Sequence, residues 1–179
     1  MDHSGDGGIH GQLLQNNGFQ GSNPSLTAYK AIGDVDISRD TDHPVSHAIT
    51  SSLQVSVSDA TGFVGFANTG YGGVPVQEAT YQTSFWMRGE YSGIVTVQLV
   101  GSESGSVYAA HNITVKSEEG RFKKFESRFE SDASPDGNNE WRVLVDADKV
   151  EGDDGSVNFG LVELFPPTYM NRYGTYPAG

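Results

Sequence analysis

At 179 residues, 36% hydrophobic and 19% charged, the chain is long enough for one domain with a real core. It is neither membrane-like, since no apolar run approaches the ~18 to 20 residues that span a bilayer, nor disordered in composition. A net charge of -12 excludes a nucleic-acid binder, because the one basic cluster, Arg121, Lys123 and Lys124, is ringed by Glu118, Glu119 and Glu126. With no cysteine, disulfides, thiol catalysis and cysteine-held zinc are excluded as well.

Residues 1–24 are rich in Gly, Asn and Gln, and their one amphipathic run, Ile9 to Leu14, could form a helical turn or two but for Gly11 and Gly18. From there the chain is a series of β-rich runs at roughly ten-residue spacing: near 33–38, 52–58, 62–68, 80–89, 93–101, 107–116, 122–131, 140–147 and 157–165. Val, Ile, Thr, Phe and Tyr fill them, as pleated, half-buried surfaces favour. The breaks are turn-formers, among them Gly101-Ser102-Glu103-Ser104-Gly105 and Ser134-Pro135-Asp136-Gly137. About nine strands with no intervening helix predict an all-β antiparallel sandwich of the jelly-roll kind, residues 25–168, with coil or short-helix extensions at 1–24 and 169–179.

Alternation assigns faces. Tyr81, Thr83, Phe85 and Met87 oppose Gln82, Ser84, Trp86 and Arg88; Val95, Val97 and Leu99 oppose Thr96 and Gln98; Trp141, Val143 and Val145 oppose Arg142, Leu144 and Asp146. Trp141 therefore reads as core, as do Phe63, Phe66 and Phe85. Trp86 stands on the more polar face, with Thr96 and Gln98 expected on a neighbouring strand and with Asn68 and Tyr71 in a Gly-rich loop just before its own strand. Sugars offer C–H faces to aromatic rings and hydroxyls to amides and guanidinium groups. The five residues Trp86, Tyr71, Arg88, Gln98 and Asn68 thus form a candidate carbohydrate site, with Trp86 alternatively a cap on the core.

Other chemistries find less support. Asp2, His3, Asp6 and His10 resemble metal ligands by type, but a Gly-rich terminal segment cannot hold them rigidly. Asp146, Asp148, Asp153 and Asp154 could supply oxygens to a structural calcium, as any acidic loop could. Glu140 and Glu163 could be written as a glycosidase pair, yet solvated acids are the simpler reading. No Gly-x-Ser-x-Gly accompanies His43, His47 or His111. Asn112-Ile113-Thr114 is a glycosylation acceptor triplet.

Three separated motifs carry a family resemblance. HSGDGGIHGQLLQNNGFQG (3–21) resembles the beginning of eukaryotic, fungal-like α-L-arabinofuranosidases of glycoside hydrolase family 51. FANTGYGGVPV (66–76) and TYQTSFWMRGEYSG (80–93) resemble the carbohydrate-binding module inserted in those enzymes, and LVELFPPTYMNR (161–172) is similar to the point where that module rejoins the catalytic barrel. The resemblance implies a non-catalytic module whose ligand is arabinoxylan or a related hemicellulose. Its partner would be the catalytic domain of a parent enzyme. The catalytic glutamates lie in a barrel beyond this segment, so none carries over, and residual arabinofuranosidase activity ranks last. A structural domain that braces the parent without binding sugar is the alternative, because the module's Gly-Tyr-Trp-Gly pattern appears here as Gly70-Tyr71-Gly72-Gly73, lacking the Trp. A monomer needing no cofactor is expected, with neither nucleic acid nor membrane as partner. The parent is expected to be secreted, its signal peptide upstream of Met1.

Overall fold

The computed structural model describes residues 11–21, 25–152 and 154–167. Among them are ten strands: β1 (Tyr29–Ile32), β2 (Asp36–Asp40), β3 (Ser52–Ser56), β4 (Phe63–Asn68), β5 (Ala79–Arg88), β6 (Tyr91–Gly101), β7 (Val107–Ser117), β8 (Lys123–Ser131), β9 (Asn139–Asp146) and β10 (Ser156–Phe165). They form two five-stranded antiparallel sheets, β1-β4-β9-β6-β7 and β2-β3-β10-β5-β8, packed as a sandwich. The helical content of the described residues is one 3-10 turn, Ala147–Lys149, capped by Asp146, whose carboxylate accepts from the Asp148 N–H at 3.1 Å.

The expected strand at 33–38 is present as β2, shifted to 36–40; β1, at 29–32, was not expected, and the two go to different sheets. Gly33 makes the break: its φ of +85° suits glycine, and a Cβ there would collide with Val64. The remaining expected strands are present with small shifts of their ends.

The core lies between the sheets. Phe66 of the first sheet packs edge-on against Phe159 of the second, ring centroids 5.1 Å apart, and against Trp141 at 6.2 Å. Phe85 completes the cluster at 5.7 Å from Phe159. Such aromatic pairs add about 0.5 to 1.5 kcal/mol beyond their buried area. Phe66, Phe85 and Trp141 are fully buried, as their alternation requires. Phe63 is not: it is 50% exposed, because three residues from Phe66 it falls on the opposite face of β4.

The amphipathic run near the N-terminus is not helical where described. β3 pairs only with residues 156–159 of β10, which leaves the second half of β10 with an open edge. Residues 12–17 occupy that edge: the N–H of Leu13 donates to the carbonyl of Leu164 and that of Val162 to Asn17, both at 3.0 Å. Leu14 and Phe19 are buried, so this segment belongs to the core.

Candidate functional site

Each sheet turns one face to solvent, and the two differ. On the first sheet, register aligns Lys30, Ala67, Arg142, Gln98 and Ala110 in one row and Ile32, Gly65, Leu144, Thr96 and Asn112 in the next. The floor is low because three of these, Ala67, Ala110 and Gly65, are small. At Gly65 a Cβ would run into the backbone carbonyl of Val143, so no larger residue fits.

At one end of this face sits Glu140, a carboxylate with 0% exposure. Arg142 Nε donates to one of its oxygens at 2.7 Å, and Lys30 Nζ lies 2.5 Å from the other. Removing a carboxylate from water is tolerated only with such partners. The arrangement fixes the guanidinium by one nitrogen, and its two terminal amino groups have no partner among the described residues. Gln98 is next to Arg142 in the row, and Thr96 Oγ1 donates to Asn112 Oδ1 at 2.9 Å in the row beyond.

Tyr71 stands at the same end of the sheet, 73% exposed. Its turn is held firmly. Gly73, at φ +114°, packs so close to Gly137 that a Cβ would overlap the Gly137 carbonyl. The Val74 N–H donates to the Asn139 carbonyl at 2.8 Å, and Asn139 Nδ2 returns a bond to the Val74 carbonyl at 2.9 Å. A rigid turn thus presents a large exposed aromatic ring at the end of the sandwich where Glu140 also lies.

The second sheet's outer face is partly roofed. Trp86 is half-buried, with Gly160 opposite it on β10 and Lys124 on β8. Val45, from the loop at 41–50, fills the space where a Gly160 side chain would stand, and Phe122 lies close to the same space. The loop is pinned by Asp40, which accepts from Asn158 Nδ2 at 2.8 Å and meets His43 Nδ1 at 2.7 Å; Ser52 Oγ donates to the His43 carbonyl at 2.9 Å. Partial burial would raise the Asp40 carboxyl, but the hydrogen bonds from His43, Asn158 and the N–H groups of Asp42 and His43 outweigh it. They hold the carboxyl below the ordinary aspartate value.

The structure does not gather the five expected site residues. β5 and β6 follow one another in sequence but belong to different sheets, since the chain crosses over at Gly89 (φ +111°) and Glu90. The expected adjacency of Trp86 with Thr96 and Gln98 is therefore corrected. Trp86 and Arg88 lie on the second sheet's outer face, Gln98 on the first sheet's, and Tyr71 in the turn that follows β4. Asn68 is inside, with 0% exposure: its Nδ2 donates to the Gln15 carbonyl at 2.8 Å, and its Oδ1 accepts from the Gly70 N–H at 2.9 Å and the Gln15 N–H at 3.3 Å. It fastens the N-terminal segment to β4.

Lys30, Glu140 and Arg142 were absent from the expected site. The alternation of Glu140 and Arg142 against Trp141 and Val143 was the signal that could have found the latter two. Glu140 and Glu163 do not pair, since Glu163 lies on the second sheet, accepting from Ser84 Oγ at 2.7 Å. His111 bonds Ser127 Oγ at 2.7 Å and stacks on Phe129. Asn112 is exposed on β7. Asp2, His3, Asp6, His10 and Asp153 lie outside the described residues. Among those described, no three His, Asp or Glu side chains come together as metal ligands, and Asp154 is engaged by Ser156.

Two five-stranded antiparallel sheets packed face to face, one of them with a low, polar, cation-bearing outer face, define a β-sandwich domain. The chain corresponds to one small domain of the α-L-arabinofuranosidases of glycoside hydrolase family 51. It is 46% identical over 173 residues to a probable α-L-arabinofuranosidase A of Aspergillus terreus, covering 96% of this chain and 27% of that protein. The chain thus spans about a quarter of the length of the curated relatives it matches. An arabinose-bound α-L-arabinofuranosidase of family 51 superposes with a TM-score of 0.82 at 33% identity, over 96% of this chain and 29% of that one. The xylan-binding domain CBM22-1 of Paenibacillus barcinonensis Xyn10C shares the fold (TM-score 0.59, 12% identity, 87% and 94% covered). So does a cyclase from Fischerella (TM-score 0.57, 16% identity, 87% and 96% covered), so the fold alone does not fix the function. No family model matches the chain.

Proposed function

We propose that the domain binds a plant cell-wall polysaccharide, arabinoxylan or a related hemicellulose, on the outer face of its first sheet, as a non-catalytic accessory module of an α-L-arabinofuranosidase. The observation that carries this reading is the buried Glu140 that orients Arg142 and Lys30 beside Gln98, with Tyr71 exposed at the end of the sheet. A buried ion cluster adds little net stability compared with apolar packing. Its effect here is to hold a guanidinium in one orientation at the surface, where its planar donors suit paired sugar hydroxyls. Tyr71 supplies the stacking ring. An open, wet site of this kind gives affinities on the order of 10 µM to mM.

Affinity electrophoresis in gels containing arabinoxylan, arabinan, xyloglucan or β-glucan tests the reading. Retardation by a xylan-based gel is expected, reduced at least about fivefold in affinity by Tyr71→Ala, the loss of roughly 1 kcal/mol of stacking. Trp86→Ala is expected to bind as the parent does. Retardation lost with Trp86→Ala and kept with Tyr71→Ala would move the site to the second sheet.

A second reading, a structural brace, is favoured by one observation. Gly11 and Pro166 lie against each other, so the two ends of the described domain meet at one spot beside β10. Absence of retardation in every gel, with loss of thermal stability of the parent enzyme on excising residues 25–167, would support it.

A further inference from the structure

The charge on the proposed binding face narrows the ligand class. Lys30 and Arg142 place two cations against the single carboxylate of Glu140, leaving one net positive charge on a chain whose net charge is -12. Both cations reach solvent, Lys30 more than Arg142, whereas Glu140 does not. An approaching ligand therefore meets donors and positive charge, not the carboxylate beneath them. The other ionisable groups on this face stand apart: Asp146 is four residues from Arg142 along β9, roughly 13 Å, and Lys116 is near the far end of edge strand β7. Glu103 and Asp136 sit on exposed loops at the Glu140 end. The positive spot is thus small and bordered by acids.

We infer that the polysaccharide taken by this face carries isolated hexuronate units on a neutral backbone, and that the hexuronate carboxylate docks on Lys30 Nζ and the terminal amino groups of Arg142. This rests on the glycan-binding reading above. A carboxylate on a guanidinium and an ammonium makes charge-assisted hydrogen bonds, stronger than those to hydroxyls. A polyuronate is disfavoured, because one cationic spot can receive one carboxylate while the rest of the chain lies against an acidic surface. Xylans with sparse glucuronate branches have the required chemistry.

Isothermal titration calorimetry of this chain tests the inference with four ligands: neutral arabinoxylan, glucuronoxylan, the same glucuronoxylan with its carboxyl groups reduced to alcohols, and polygalacturonate. Carboxyl reduction is expected to weaken binding about five- to tenfold. That difference should shrink at high salt and in Lys30→Gln, which leaves Arg142 in place and takes one partner from the buried Glu140, so its folding is checked by circular dichroism. Polygalacturonate is expected to bind more weakly than glucuronoxylan. Equal affinity for the native and reduced glucuronoxylan would overturn the inference and leave glycan binding intact. Tighter binding of polygalacturonate would overturn the restriction to isolated units. No heat with any of the four ligands would overturn both the inference and the glycan-binding reading.

Discussion

Replacing Asn68 by alanine separates a structural role from a ligand-binding one. The side chain makes two short hydrogen bonds, to the Gln15 carbonyl at 2.8 Å and from the Gly70 N–H at 2.9 Å, and a longer one from the Gln15 N–H at 3.3 Å. Two good bonds contribute about 1 kcal/mol each, and orphaning the buried Gly70 N–H adds about 1 kcal/mol or more. The expected loss is therefore about 2 to 4 kcal/mol, a large part of the ~5 to 15 kcal/mol that holds a domain together. Urea unfolding followed by the fluorescence of Trp86 and Trp141 measures it. With a slope of about 2 kcal/mol/M, the midpoint should fall by about 1 to 2 M. Glycan affinity of the folded variant should be unchanged. A loss below about 1 kcal/mol, or weakened glycan binding in a variant of parental stability, would refute the structural assignment.

Other expectations follow from the same contacts. Gly160→Ala puts a methyl group where Val45 sits; it should cost about 1 to 3 kcal/mol and expose residues 41–50 to limited proteolysis, read as an early cleavage product on a gel. Asp40 titrates below its ordinary value when folded, so the stability it supplies is complete above about pH 4 and lost as pH falls through its lower native value. Thermal melts of the parent and of Asp40→Asn should therefore converge in acid, and a constant gap down to the acid limit would exclude this role. At the alkaline end, burial is the chief cause that raises the phenols of Tyr81 and Tyr91. Each supports folding fully below the free-phenol value of about 10, and that support fades as pH climbs from there through the higher native values. A melting temperature that stays flat from pH 9 to 12, a range chosen about that value, would contradict it.

Most of the fold was legible because alternation is a local signal. Trp141, Val143 and Val145 announce the buried side of β9, and Tyr81 to Met87 that of β5, without reference to anything distant. β1 escaped because Lys30 and Ala31 have low strand propensity and its pairing with β4 is an edge contact. The Phe63 expectation failed on parity, hydrophobicity having been weighed above spacing. The site was much less legible. Whether β5 and β6 pair or part depends on the turn at Gly89 and on partners far along the chain, β10 and β9, so sequence proximity wrongly joined Trp86 to Gln98. Asn68 reads as a polar loop residue, and only the N-terminal segment folding across it makes it internal. The Glu140 cluster needs β1 to be placed at the edge of the first sheet, two strands from β9, before Lys30 can reach it.

Chemical-shift mapping is the most direct test of where this domain holds sugar. Amide and side-chain resonances would be followed as xylo-oligosaccharides bearing arabinose or glucuronate branches are added. Perturbations are expected at Tyr71, Thr96, Gln98 and Arg142, with Trp86 and Arg88 unmoved. Shifts confined to Trp86, Arg88 and the 41–50 loop, or none at saturating sugar, would contradict binding on the first sheet.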